Sequence, residues 1–155
     1  MGLFSLLRKK PASYFSDTDK QAIVEEIRKV EMRTSGEVRV FVESRCRFVD
    51  ALDRAAEVFF GLKMEVTQHR NAVLVYVAMK DKQLAIFADE GIYKALGVDY
   101  WNEEARKMLS AFKSESHANG LVSVIENIGN ALHHHFPYDQ QTDKNELPDD
   151  IVFGK

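Results

Sequence analysis

A single cysteine, Cys46, means that no disulfide can form within this chain, a usage that suits a reducing compartment. Arg45 and Arg47 flank it and favour a thiolate, yet a reactive cysteine also needs a supporting environment, and Cys46 reads as an ordinary thiol near a strand end. Basic residues are not in excess. The 21 Lys and Arg stand against 24 Asp and Glu for a net charge of −3, and the pI is about 6.0. That balance argues against nucleic-acid binding, whose footprint is a basic patch or a basic pI. No apolar run reaches the ~18 residues that a membrane span requires. The opening stretch lacks the order of a signal peptide: the apolar residues 3–7 are fewer than the about 7–15 of an h-region, and the basic residues follow them instead of leading. The myristoylation pattern fails as well, because Leu6 stands where Ser or Thr is needed. A cytoplasmic protein is expected, with residues 3–10, apolar and then basic, as a segment able to touch a membrane surface. Internal repeats, low-complexity tracts, an EF-hand run, a Cys-x5-Arg loop and a glycine-rich phosphate loop are all missing.

What is present is a chain of 155 residues, 45% hydrophobic and 29% charged, which implies one globular domain. A chain of this size buries roughly two-thirds of its unfolded surface. Residues 1–15 read as an N-terminal segment and linker. Ser16-Asp17-Thr18-Asp19 is a helix start, with a capping serine and acids in the first turn, and Ile23, Ile27 and Val30 continue as an apolar stripe at helical spacing. Gly36 ends that helix. Residues 37–44 alternate, with Val38, Val40 and Val42 on one side and Glu37, Arg39, Phe41 and Glu43 on the other, the mark of a strand. Asp50 caps a broadly apolar helix reaching about Met64.

The clearest unit runs from Arg70 to Gly91. Two apolar runs, 72–79 and 83–88, flank Lys80-Asp81-Lys82 and predict a β-hairpin. The first run is apolar almost without a break, as in a strand covered on both faces. Asp89-Glu90-Gly91 then opens a short helix that Gly97 closes. Asp99 caps a helix over 100–113, and a further helix over 119–134 ends at Phe136-Pro137. Beyond residue 137 the composition turns polar and acidic, and residues 138–155 are expected to be a flexible tail, whose one apolar patch, Ile151-Val152-Phe153, could dock on a partner or on its own domain by strand addition. The element order predicts an α/β (α+β) sandwich: a small central mixed sheet of about four strands with helices on both faces, the domain proper spanning 16–137.

Several of these segments together resemble the TPM domain, a family named for a plant thylakoid lumen protein, a photosystem II repair protein and a nematode receptor-modulating protein. The similarity rests on Thr34-Ser35-Gly36-Glu37-Val38, on Ala56, Phe59, Leu62 and Met64 of the second helix, and on Thr67 with the run from Arg70 to Ala78. It continues through Asp89-Glu90-Gly91-Ile92, Trp101, Gly120-Leu121, Ile125, Ile128-Gly129, Leu132 and His135-Phe136-Pro137. The chain is most similar to short bacterial members that lack a signal peptide and carry an Asp-Glu-Gly turn with an acidic tail. Where Arg-Asn-Gly is common in the family, this chain has Arg70-Asn71-Ala72. The resemblance implies a central sheet with flanking helices and an acidic strand-end crevice able to hold a divalent cation, Ca²⁺ in preference to Mg²⁺. It also implies a protein partner, LemA-type or membrane-associated, and, from plant relatives, a weak acid phosphatase activity.

The acids that would form such a crevice are Glu37, Asp89, Glu90 and Asp99. Hard cations take six to eight oxygen ligands from carboxylates, carbonyls and water, and acids at strand ends beside open backbone could supply them. The same residues have an ordinary reading, with Asp99 a helix cap, Glu90 a first-turn acid and Glu37 a solvated charge. Arg70, next to Asn71, suits an anion or an acid at the sheet edge. His133, His134 and His135 lie on consecutive helix positions about 100° apart and cannot converge on one ion. A hydrolase on this chain would have to be metal-assisted.

Overall fold

The computed structural model describes residues 10–47, 50–114, 116–138 and 150–154. Among these, five helices and four strands follow one another: α1 (Asp17–Glu31), β1 (Glu37–Glu43), α2 (Ala51–Gly61), β2 (Ala72–Ala78), β3 (Gln83–Ala88), α3 (Glu90–Leu96), α4 (Val98–Ser114), α5 (His117–His135) and β4 (Val152–Phe153). The chain is an α/β sandwich around a mixed sheet in the order β3-β2-β1-β4. β1 and β2 run parallel, Glu37 opposite Ala72 and Glu43 opposite Ala78, with α2 as their crossover. β2 and β3 form the expected hairpin, Val73 opposite Ala88 and Ala78 opposite Gln83.

Strand periodicity splits the core in two. Val38, Val40 and Val42 of β1 join Val73, Val75 and Val77 of β2 on one face, where Ile23, Ile27 and Val30 of α1 and Leu121, Ile125, Ile128 and Leu132 of α5 cover them. Gly129 lets α1 and α5 approach, since a Cβ there would strike the Val30 side chain. On the other face Leu74, Tyr76 and Ala85 pack with Ala55, Val58 and Phe59 of α2. Ser16 caps α1 through the Asp19 amide and Asp50 caps α2 through the Leu52 amide, as their sequences require.

Four expectations need correction. Residues 10–15 are more than a linker: Pro11–Tyr14 is a 3-10 helix, and Phe15 is buried in the α1 side of the core. Asp99 is no cap, because α4 already begins at Val98 and Asp99 lies in its first turn. α5 starts at His117 with Ser116 as its cap, so its first turn precedes the apolar stripe that marked it. Finally, the tail is not wholly outside the fold. Val152 and Phe153 pair in parallel with Phe41 and Val42, and the Gly154 amide donates to the Val42 carbonyl at 2.8 Å. The fourth strand therefore comes from residues 150–154, whose apolar Ile151-Val152-Phe153 finds an open sheet edge, while residues 139–149 of the expected flexible tail lie outside the described residues, as does the segment 1–9.

Candidate functional site

Antiparallel pairing of β3 with β2 brings the exit of β3 beside the entry of β2, and parallel pairing brings the entry of β1 alongside. One end of the sheet thus gathers Glu37, Arg70, Asn71, Asp89 and Glu90. The Asp89 amide donates to the Ala72 carbonyl at 2.9 Å and the Gly91 amide to the Arg70 carbonyl at 2.8 Å, fixing the turn into α3 against the loop before β2. Asp89 caps α3, its side chain accepting from the Glu90 amide at 2.8 Å. Gly91 is demanded by this approach: a Cβ would fall against the carbonyl oxygens of His69 and Arg70.

The electrostatics centre on Asp89. Its carboxylate is 3% exposed and receives a two-pronged ion pair from Arg70, Nε to Oδ2 at 2.6 Å and Nη2 to Oδ1 at 2.8 Å. Arg70 also reaches Glu90 Oε1 at 3.4 Å, and its own side chain is 37% exposed. The hydrogen bond to Asp89 holds the guanidinium above its ordinary pKa range. Arg70 adopts φ +51°, the left-handed region that a non-glycine residue seldom takes. Asn71 is buried to 1% exposure; its amide nitrogen donates to Ser35 Oγ at 3.3 Å, whereas its Oδ1 has no hydrogen-bond partner among the described residues.

Of the four acids singled out in the sequence, Asp89 and Glu90 are therefore brought together by Arg70, and Glu37 stands at the same end of the sheet, buried and not solvated. Asp99 is exposed, separated from Glu90 by α3 and Gly97. Among the described residues no three His, Cys, Asp or Glu side chains are grouped so as to hold a metal ion. His133 turns to the Arg33 carbonyl at 2.8 Å, a packing contact at the end of α5.

A second polar centre escaped the sequence reading. At the opposite end of β1, buried Glu43 takes both prongs of Arg54 on α2, each at 2.9 Å, and the Tyr76 hydroxyl of β2. Burial first, then the bonds to Glu43 and to Cys46, push the Tyr76 phenol far up; the bond to Glu43 does the same for Arg54. Asp81 at the hairpin tip accepts from the Cys46 amide at 2.7 Å and from Arg45 at 3.2 Å. Cys46 thus has a structural setting. The available signal was the parity of β1: Glu43 shares the face of Phe41, and a buried acid needs a cation on whatever covers it.

The fold and this strand end define an α/β sandwich domain with a gathered set of acids beside one arginine. The chain belongs to the TPM domain family, whose profile it matches over residues 9–131. It is 39% identical to the BA42 protein of the psychrophilic bacterium Bizionia argentinensis, with a TM-score of 0.82 over 90% of this chain and 95% of that one. It also resembles in fold the N-terminal domain of a protein from P. gingivalis, at 14% identity and TM-score 0.63 over 83% of this chain and 85% of that one. A third likeness is the N-terminal domain of a Corynebacterium glutamicum protein, at 15% identity and TM-score 0.55 over 76% and 74%. No curated protein matches the chain.

Proposed function

We propose that this chain is a TPM interaction domain whose acidic strand end takes a divalent cation, calcium in preference to magnesium, and that the ion-loaded domain acts with a protein partner. The observation that carries the ion is the state of Asp89, a nearly buried carboxylate whose neutralising cation is a 37% exposed arginine. A divalent ion replaces Arg70 on Asp89 and Glu90, with Glu37 as a further carboxylate of the same sheet end and Asp99 as an outer charge beyond α3. The Asn71 Oδ1, which lacks a hydrogen-bond partner among the described residues, and the main-chain carbonyls crowded against Gly91 are hard oxygen donors of the kind calcium prefers. Calcium tolerates such an irregular, high-coordination set, whereas magnesium demands a near-ideal octahedron.

Calorimetric titration of the metal-stripped protein tests this. Calcium binds the native chain saturably; Arg70→Ala, which removes the competing cation, binds several-fold more tightly; Asp89→Asn loses the binding. Equal, unsaturable heats for all three would sink the ion. The alternative, a weak metal-assisted phosphatase, would use the same ion with the released Arg70 turned to the phosphate, a geometry that guanidinium suits. Metal-dependent hydrolysis of an aryl phosphate that Asp89→Asn abolishes would favour it; binding without turnover favours the interaction domain.

A further inference from the structure

The β1 edge is closed by very little. β4 is two residues long, and residues 151–154 are each only partly buried. Yet what they contact is specific at every position. Phe153 packs into the α1 side of the core with Lys20 Nζ 5.7 Å from its ring centre, while Val152 packs on the opposite face with the Phe41 cluster. Gly154 lies so close to β1 that a Cβ would stand 2.7 Å from Phe41 Cζ and 3.2 Å from Glu43 Cβ. Two residues before Val152, the exposed Asp150 acts electrostatically on Arg39, a buried guanidinium whose Nε has no hydrogen-bond partner among the described residues. Burial pulls Arg39 below its ordinary pKa; Glu31, then Asp150, then Glu37 oppose that pull. Residues 150–154 thus meet a buried cation within electrostatic reach of their acid, apolar seats on both faces of the sheet, and, at Gly154, an approach so close that a larger residue has to displace the Phe41 ring.

We infer that the β1 edge is a peptide-binding slot, that residues 150–154 are its resident and exchangeable ligand, and that its partner is a protein segment of the pattern acid–aliphatic–aliphatic–aromatic–glycine, added in parallel to β1. Strand addition to a sheet edge supplies affinity through the main chain and specificity through alternate side chains, which is the division seen here. A tethered ligand faces its slot at an effective concentration in the millimolar range, so the tail holds the slot against dilute peptides, and a partner strand enters by binding more tightly or by being brought close. The inference names the partner of the interaction domain proposed above and rests on that reading, but it does not depend on the ion, which lies around the β1 entry and the β3 exit.

The test uses the full chain, isotopically labelled, with Gly154→Val to unseat its own tail. The expected result is that the amide signals of 150–154 move to unstructured positions while those of β2 and α5 stay in place. An unlabelled peptide of sequence LPDDIVFGK then binds saturably, shifting residues 39–43, and the same peptide with its second aspartate changed to lysine binds about tenfold more weakly or worse. A shuffled peptide of equal composition does not bind. Three results would overturn the inference: a released tail with no binding of the native peptide at millimolar concentration, loss of the whole fold in Gly154→Val and in the milder Asp150→Asn alike, or equal binding of the shuffled peptide. A concentration-dependent dimer of the native chain, whose tail keeps Gly154, in place of peptide binding would assign the slot to the tail of a second copy and contradict a separate partner. Calcium binding that persists while the peptide fails would separate this outcome from failure of the ion reading.

Discussion

At the scale of single residues, the polar interior is the most exacting part of this molecule. Glu43 is buried and satisfied by Arg54 and Tyr76. Breaking a buried pair from one side strands the other charge, which costs about 3–5 kcal/mol, whereas loss of one neutral donor costs about 1–2 kcal/mol. Arg54→Ala is therefore expected to lower unfolding stability by about 3 kcal/mol or more and Tyr76→Phe by about 1–2 kcal/mol, read from urea midpoints at constant slope. Tyrosines give a second readout. Burial, with Glu104 beside it, pushes the Tyr100 phenol up to about 12, and Tyr76 is raised further by its own burial and by Glu43. The unfolded chain ionises these phenols near pH 10, before the native chain does, so their contribution is intact below about pH 10 and falls as pH rises toward 12. Absorbance titration at 295 nm should find Tyr76 and Tyr100, among the five tyrosines, un-ionised at pH 11 in the native protein, with stability declining over the same interval. Ionisation of all five before unfolding would contradict this.

At the scale of elements, pattern was legible where it was long. The valines of β1, the unbroken apolar run of β2 and the stripes of α1 and α5 announced themselves, because alternation and helical spacing are properties of neighbouring residues. The Asp89-Glu90-Gly91 turn was legible as a junction. What sequence left open was pairing across distance: which acid at the sheet edge Arg70 claims, whether Glu43 lies inside, and whether the Ile151-Val152-Phe153 patch docks on its own sheet. Those depend on which element covers which face, and a two-residue strand carries too short a pattern to announce itself. Asp99 was misread for a simpler reason, since an acid one residue inside a helix and an acid at its cap look alike in sequence. The turn yields its own prediction. Gly91→Ala puts a Cβ against main-chain oxygens that cannot rotate away, so stability should fall by about 1–3 kcal/mol, with the largest amide shifts in residues 69–71 and 89–92. An unchanged melting curve would mean that the close approach of the two loops is not maintained in solution.

At the scale of the whole molecule, the sheet is covered on both faces and differs in character at its two margins. α1, α5 and α2 fix its faces, and no helix among the described residues is long and apolar enough to cross a membrane. The margins are an acidic strand end, where Asp89 is held by a partly exposed arginine, and the β1 edge, closed by a short tail strand. The proposed ion site centres on Asp89 and Glu90 past β3 and reaches β1 only at Glu37, whereas the tail pairs with Phe41 and Val42, so ion binding and strand exchange are tested one at a time through Asp89 and Gly154. Amide NMR of the metal-stripped full chain reads the proposed ion site residue by residue. Calcium is predicted to shift Glu37, Asn71 and residues 89–91 saturably, with Asp99 less affected and with magnesium weaker at the same positions. No saturable shift at millimolar calcium would contradict the account and leave these acids as a cap, an ion-pair partner and buried structural charge.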